Sequence, residues 1–460
     1  MTGAFDVARR HRIALALPTN RACSATITAV AGEAAYAVRE FGVEVHLLVL
    51  DSSDAPTVAA HARTVAGLPA VPGVVVHHLD ERAQRAFLRA AIDRAALPEP
   101  EPDRLLGLLL PDGVSYGACT NRAFLVAAAL GCRSVHRRDS DSRYQAFEGE
   151  PVFPVHHELA SLGKRAADAC AGVSEVNLDP SLAHRPVAMV GASFIGELSV
   201  DIGGIRELDK DAYDTVVGLW APAGWSEEER AGLAEESFKG AGLLPFRGDR
   251  TTLTLVDPMR VDMCNIAFHQ DVYERLPLPP ATDTIGSDYF LIHAVHDATL
   301  PGVLHNRDIE NFYTGERRTH AGFMAYQRRF VKFLLSMLHF HFVYAGMAEA
   351  GPALLDAGQR LDAAPVRALL AKSVRLDRAE NERRLDVVQR TYRRLGGKYA
   401  EFAEWLAADR ERLLARAGRD IEDFVLLIDG WAALVDASRA TDVRGTAGRG
   451  GSARSRSAAS

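Results

Sequence analysis

From Arg12 the chain alternates short unbroken apolar runs with longer stretches whose apolar residues recur every three or four positions. RIALALPTN (Arg12 to Asn20), VEVHLLVLDSSD (Val43 to Asp54) and GVVVHHLD (Gly73 to Asp80) read as buried strands that end in polar turns. Between them, ATITAVAGEAAYAVREFG reads as a helix stopped by Gly42, and AAHARTVAGL and ERAQRAFLRAAIDRAAL read as the next two helices. YGACTNRAFLVAAALGC is a further helix, with Asn121 and Arg122 in its first turns. A strand from Cys132 to Val135 then finishes in basic residues that lead into Asp139-Ser140-Asp141. This alternation predicts a mainly parallel sheet covered by helices on both faces, with the ligand crevice at the strands' carboxyl ends. Asn20, Asp51, Asp80 and Asp139 all fall at such ends.

Beyond the aspartates the pattern is more irregular and β-rich, from Pro186 to Gly204 and from Thr251 to Tyr273. From about Arg318 to Arg439 it becomes almost purely helical, with KYAEFAEWLAADRERLLARAG and IEDFVLLIDGWAALVDASR reading as separate helices of a bundle. The final RGTAGRGGSARSRSAAS has no apolar residues to bury and is expected to be disordered. The expected division is an α/β domain over residues 1–317, a helical domain over 318–440 and a tail over 441–460, with a homodimer formed through the helices.

Composition narrows the function. The chain has 460 residues, is 48% hydrophobic and carries 53 Lys+Arg against 60 Asp+Glu, a net charge of −7. Such a chain has no global field for nucleic acid, so an anionic ligand must be held by local positive charge, and a small-molecule site is expected. Five cysteines without C-x-x-C spacing argue against a disulfide framework or a structural zinc. The apolar run near the N-terminus is too short for a signal-peptide core, which makes a cytoplasmic location the expectation. FVKFLLSMLHFHFV is shorter than a membrane span of ~20 residues and contains Lys332, so it reads as a buried helix. Neither G-x-G-x-x-G nor a P-loop occurs, which sets NAD and ATP chemistry aside.

Asp139 and Asp141, at i and i+2 on an extended chain, point to the same side. Their hard oxygens suit Mg²⁺ or Mn²⁺, although the same tripeptide is common in solvated turns. A helix start carrying Arg122 suits phosphate oxygens. The order is Pro-Thr-Asn-Arg after the first strand, Asp-Ser-Ser-Asp after the second, an Asn-Arg helix, and then Asp-x-Asp. In this order the chain resembles the nucleotide-diphospho-sugar glycosyltransferases of the GT-A fold, most like the broad family-2-type enzymes, from Arg12 to about residue 310.

The resemblance implies an α/β GT-A domain that binds a UDP- or GDP-sugar together with Mn²⁺ or Mg²⁺. It places Pro18, Thr19, Asn20 and Arg21 around the nucleoside, Asp51 on base or ribose, and Asn121 and Arg122 toward the diphosphate. Asp141 becomes a direct metal ligand, and Asp139 contacts ribose or the metal shell. MCNIAFHQDVYERLP (Met263 to Pro277) resembles the segment bordering the acceptor, with Met263 and Cys264 in place of glycines. TIGSDYFLIHAV (Thr284 to Val295) resembles the segment that supplies the catalytic base, which leaves Asp288 in that role, with helix N-cap as the alternative. His305 would be a third metal ligand, or else an ordinary surface histidine. Arg317 and Arg318 are read from charge alone as a loop that closes over the diphosphate.

Among the remaining aromatics, Trp220, Trp225, Tyr144 and Phe147 either stack on a sugar ring or pack the core. Like-charge repulsion between Asp139 and Asp141 leads to the expectation that Asp141→Ala leaves ligand-free stability unchanged or slightly higher. The activity expected is metal-dependent transfer of a sugar to a small-molecule or natural-product acceptor. The alternatives are a nucleotidyltransferase, which needs a glycine-rich loop that PTNRACSATIT does not offer, and an inactive nucleotide-sugar-binding protein.

Overall fold

A computed structural model describes residues 11–98, 101–198, 200 and 202–443. The expected disorder of the tail falls mostly outside these residues. The first strands form where the apolar runs predict them: β1 (Arg12–Thr19), β2 (Glu44–Asp51) and β3 (Val74–Asp80). They alternate with helices α1 (Ser24–Phe41), α2 (Ala55–Ala66) and α3 (Glu81–Ala95). Gly42, at φ 65°, closes α1 in the left-handed conformation that glycine adopts without strain. Asp80 accepts the Ala83 N–H and caps α3, so this strand-end carboxylate is a structural cap.

Helix α4 (Pro102–Leu109) leads to α5 (Tyr116–Leu130), which is buried on nearly every side, and then to β4 (Ser134–Arg138). The strand therefore begins later than its apolar residues predict, and Arg137 and Arg138 lie within it. Strand alternation sends these two side chains to opposite faces. Arg138 is sealed between Glu33 and Glu158, with Nη2 2.8 and 2.9 Å from their oxygens. Arg137 faces the other way, toward Asp139 and Asp288.

The chain then adds β5 (Glu175–Asn177), β6 (Met189–Gly191), β7 (Thr251–Thr254), β8 (Asn265–His269) and β9 (Gly302–His305). Together they make a nine-stranded sheet in the order β3-β2-β1-β4-β8-β6-β9-β7-β5. Pairing is parallel from β3 through β4, and β8 enters antiparallel to both its neighbours. The sheet is mixed and mainly parallel, as expected. A small second sheet joins Ser142–Tyr144, Ile309–Asn311 and Phe194–Gly196 beside the end of β4.

Four C-terminal helices complete the fold: α6 (His320–Ala350), α7 (Ala363–Ser373), α8 (Ala379–Leu395) and α9 (Gly397–Arg439). The last replaces the two helices expected there. A single glycine, Gly418, costs only about 1 kcal/mol inside a helix, which apolar packing on either side outweighs. Helix α6 is long and apolar enough to cross a membrane by length and composition, and Phe330, Leu334 and Val343 on it are buried inside the protein. One continuous apolar core joins α9 and α6 to α5 and the sheet, where Trp431 donates its indole N–H to the Tyr273 carbonyl at 3.1 Å.

Asn121 helps hold this core together. Its amide bonds both the Leu278 carbonyl and the Leu278 N–H at 2.8 Å, and the residue is fully buried. Beside it, a Cβ on Gly117 would lie 1.9 Å from the Pro279 carbonyl, so only glycine admits this approach. Asn121→Ala should therefore cost about 2–3 kcal/mol in urea denaturation, because two buried backbone groups lose their partners. A change below a few tenths of that would remove the clamp from the account.

Candidate active site

Two cavities open at the carboxyl ends of β1, β2 and β4, and they share Tyr116, Arg137, Asp139, Asp141 and Arg317. The first, about 900 Å³ of open space, is bordered by Pro18, Thr19, Asn20 and Arg21 after β1, by Ser52 after β2, and by the Pro111 to Ser115 loop. The second, about 1280 Å³, is walled mainly by aromatic and aliphatic side chains and reaches Asp262 and Asp288. The tripeptide after β4 thus stands at the joint between a polar chamber and an apolar one.

The joint is densely charged. Arg137 donates to Asp288 Oδ2 at 2.9 Å and pairs with Asp139 Oδ1 at 3.2 Å. Asp141 Oδ2 accepts from Arg21 Nη1 at 2.9 Å and from Arg317 Nη2 at 2.7 Å. Burial pushes the Asp139 carboxyl up to about 6 against the pull of Arg137, with Asp141, Asp262 and Asp288 adding to the rise. Burial also raises Asp288, again opposed by Arg137. Several buried donors at the joint have no hydrogen-bond partner among the described residues: Nε of Arg21, Nε of Arg137, and Nε and Nη1 of Arg317. Buried N–H groups are rarely left unsatisfied, so this set is shaped for an anion with several oxygens.

Of the residues singled out in the sequence, Pro18, Thr19, Asn20, Arg21, Asp139, Asp141 and Asp288 come together here. Asp288 is not a helix cap: the helix Phe290–Asp297 starts after Tyr289 without a side-chain cap. Arg317 belongs to the joint, while Arg318 pairs with Glu197 at 2.6 Å on the surface.

Other candidates are placed elsewhere or engaged within the protein. Asp51 is fully buried, and only its neighbours Leu50 and Ser52 border the polar chamber. Its carboxylate accepts from His61 Nδ1 and His78 Nε2, both at 2.8 Å. His61 Nε2 accepts the Cys23 N–H, which leaves the ring proton on Nδ1. Asn121 is committed to Leu278 as described above. Arg122 borders the chamber but donates to Gln84 at 2.6 Å and to the Leu109 carbonyl at 2.7 Å. His305 lies at the end of β9 in a buried pocket beside His157, with ring centroids 5.5 Å apart, and borders neither cavity. Burial lowers its pKa to about 3, so it is neutral, yet the fold does not bring it to Asp139 and Asp141. Of the four aromatics, Trp220 lines the apolar chamber; Tyr144 donates to Glu33, Phe147 packs edge-on to Phe246, and Trp225 is exposed.

Arg137, Asp262 and Tyr116 escaped the sequence reading. Asp262 accepts the Cys264 N–H at 2.9 Å and the Tyr289 hydroxyl, and faces the apolar chamber beside Asp288. Tyr116, at the start of α5, borders both chambers. An acidic residue just ahead of the apolar run of β8 was the available signal for Asp262.

Comparison with known proteins adds the following. No curated protein matches the chain. Among solved structures, one reported as a crystal structure of a mycobacterial protein aligns with 72% of this chain and 75% of its own, at 17% identity and a TM-score of 0.33. Another, the mannosyltransferase PcManGT from Pyrobaculum calidifontis in complex with GDP-Man and Mn²⁺, aligns over 95% of this chain and 89% of its own, at 14% identity and a TM-score of 0.32. Both scores are low, and no site residue is carried over from either structure. A family model described as a family of unknown function, DUF6271, matches residues 11–447. The match takes in β1, both chambers and all four C-terminal helices, and on that span the chain belongs to the DUF6271 family.

Proposed function

We propose that the protein is a glycosyltransferase that moves a sugar from a nucleoside-diphosphate donor to a small acceptor. The observation that carries this reading is the joint itself, where carboxylates and arginines with unpartnered N–H groups separate a polar chamber from an apolar one. The nucleoside lies against Pro18, Thr19, Asn20 and Arg21. Its diphosphate meets Arg21 and Arg317, which turn from Asp141 to the phosphate oxygens. This keeps Arg317 on the diphosphate, where its charge placed it in the sequence reading, and gives Arg21 the part that Arg122 held there.

The residues present fit a divalent cation. One oxygen of Asp139 and one of Asp141 are ion-paired, and the second oxygen of each accepts nothing from the described residues. An all-oxygen, acidic donor set with a raised carboxyl suits Mn²⁺ or Mg²⁺, held by Asp139 and Asp141. When bound, the ion would offset the charge that develops on the departing diphosphate.

Across the joint, Asp288 is positioned by Arg137 and raised by burial, the direction a general base requires. The acceptor oxygen bonds to the anomeric carbon as the bond from that carbon to the diphosphate oxygen breaks. The acceptor's proton passes to Asp288, and the nucleoside diphosphate leaves with the electron pair. Calorimetric titration with UDP, GDP, CDP and dTDP, each with Mn²⁺, should find at least one that binds and that binds more weakly without the ion. Asp288→Asn should keep that affinity and lose about 10³-fold in transfer, within the usual range for a missing base. A protein that binds none of the four, with or without the ion, ends this reading.

A further inference from the structure

The apolar chamber is built for a different kind of surface from that of a sugar. Trp220 and Phe238 stack at 5.3 Å between centroids and 28° between planes. Phe333 stands edge-on to Trp220 at 5.4 Å and 64°, which gives the chamber two steeply inclined ring walls. Phe333 lies so close to Gly286 that a Cβ there would fall 2.9 Å from its ring, so the ring packs directly on backbone at this wall. Val200, Val261 and Met337 add apolar lining. Charge gathers at the inner end, where the joint's Arg137, Asp139, Asp141 and Arg317 meet Asp262 and Asp288, and returns at the exposed Glu236, which pairs with Lys239 at 2.9 Å. Met259 carries the apolar lining outward and is 48% exposed.

A polyol placed here would bury hydroxyl groups against carbon, at a cost of about 1–3 kcal/mol for each left without a partner. A planar apolar body gains roughly 25 cal/mol for every Å² removed from water, together with the stacking preference of aromatic rings. Resting on the transfer reading for the reaction itself, we propose that the acceptor is a planar, largely apolar ring system. Its hydroxyl is presented to the Asp262 and Asp288 end, and its body lies against the ring cluster of Trp220, Phe238 and Phe333. Tyr289, which donates to Asp262, fixes that carboxylate at the inner end of the slot.

The test is direct binding to the full-length protein without nucleotide, with 2-naphthol and 1-hydroxyanthraquinone as planar probes and maltose and 1-octanol as comparisons. Calorimetry should show both planar probes binding, and maltose and 1-octanol binding at least tenfold more weakly. Trp220→Ala should weaken the planar probes by about tenfold, equivalent to about 1.4 kcal/mol. Met259→Arg changes a half-exposed residue, will fold as the parent does, and should weaken the same probes through the mouth. Trp225→Ala, outside the chamber and exposed, should leave them unchanged. Tighter binding of maltose or octanol, or planar-probe binding indifferent to both Trp220→Ala and Met259→Arg, overturns the proposal. Nucleotide titration of the same protein separates the two ideas. Nucleotide binding without probe binding sinks the acceptor class alone, and probe binding without nucleotide sinks the transfer reading while leaving the slot a site for planar ligands.

Discussion

With Asp141 replaced by alanine, transfer should fall to background and the ligand-free protein should melt earlier. The loss of activity follows from removing one of two carboxylates at the joint. The loss of stability follows from the arginines. Asp141 Oδ2 is the shared acceptor of Arg21 and Arg317, and the side chains of Asp141 and Arg317 are 9% and 8% exposed. Without the carboxylate, two guanidinium groups face each other in a largely dry site. Removing one partner from a buried ion pair costs about 3 kcal/mol, at the lower end because Arg21 is partly open to solvent. Repulsion between the two aspartates, considered alone, predicts the opposite sign. The arginines reverse it, because they come from segments 120 and 176 residues away in sequence. Pyrophosphate should restore much of the lost melting temperature in the variant, since its oxygens can replace the missing carboxylate between the arginines. A variant as stable as the parent, with undiminished transfer, would reduce Asp-x-Asp to a solvated turn.

The largest stability effect should come from Arg138→Met. Arg138 is 1% exposed and donates to Glu33 and Glu158, both fully buried, while His136 lies 2.7 Å from Glu158. Leaving those two carboxylates buried without their guanidinium at neutral pH should cost about 4 kcal/mol in urea denaturation. The pH dependence gives an independent check. Burial alone would push Glu158 up, but Arg138 and His136 more than reverse this and hold it at about 2, against an ordinary 4.5. A carboxylate depressed in the folded state stabilises the protein above its ordinary range, and that contribution is lost as pH falls from about 4.5 toward 2. In Arg138→Met burial acts unopposed by the guanidinium, so acidification should relieve the variant while it weakens the parent. The variant should gain stability as pH falls toward about 4.5, and the parent should lose it below about 4.5, so the two slopes differ in sign and in range. A cost under 1 kcal/mol with the parent's slope would show that the network is not held by Arg138.

How much of this was legible in the chain depends on the range of the interactions involved. Strands β1 to β3 and helices α1, α3 and α5 could be read because unbroken apolar runs and helical periodicity are local properties. The lining of the polar chamber could be read for the same reason, since Pro18 to Arg21 and Asp139 to Asp141 each follow a strand directly. Asp51 carried the same local signal, but His61 and His78 seal it, and nothing near Asp51 announces them. Asn121 was misread because its partner, Leu278, lies 157 residues away. The apolar chamber leaves no motif at all. Phe194, Trp220, Phe238, Phe333 and Tyr344 come from separate segments, each of which reads as ordinary core. His305 failed by geometry: its strand lies four places from β1 in the sheet, with its ring turned toward His157.

The long helix α9 has a consequence for biosynthesis. It packs on the helices α5 and α3 as well as on α6 and α8, so the apolar faces of early elements are covered by residues translated about 300 positions after them. A nascent chain released only as far as α5 presents Phe124 and its apolar neighbours to water, and Tyr273, once made, must still wait for Trp431. Co-translational folding of this protein therefore cannot finish from the N-terminus forward, and the partly synthesised chain is the form most in need of chaperone protection.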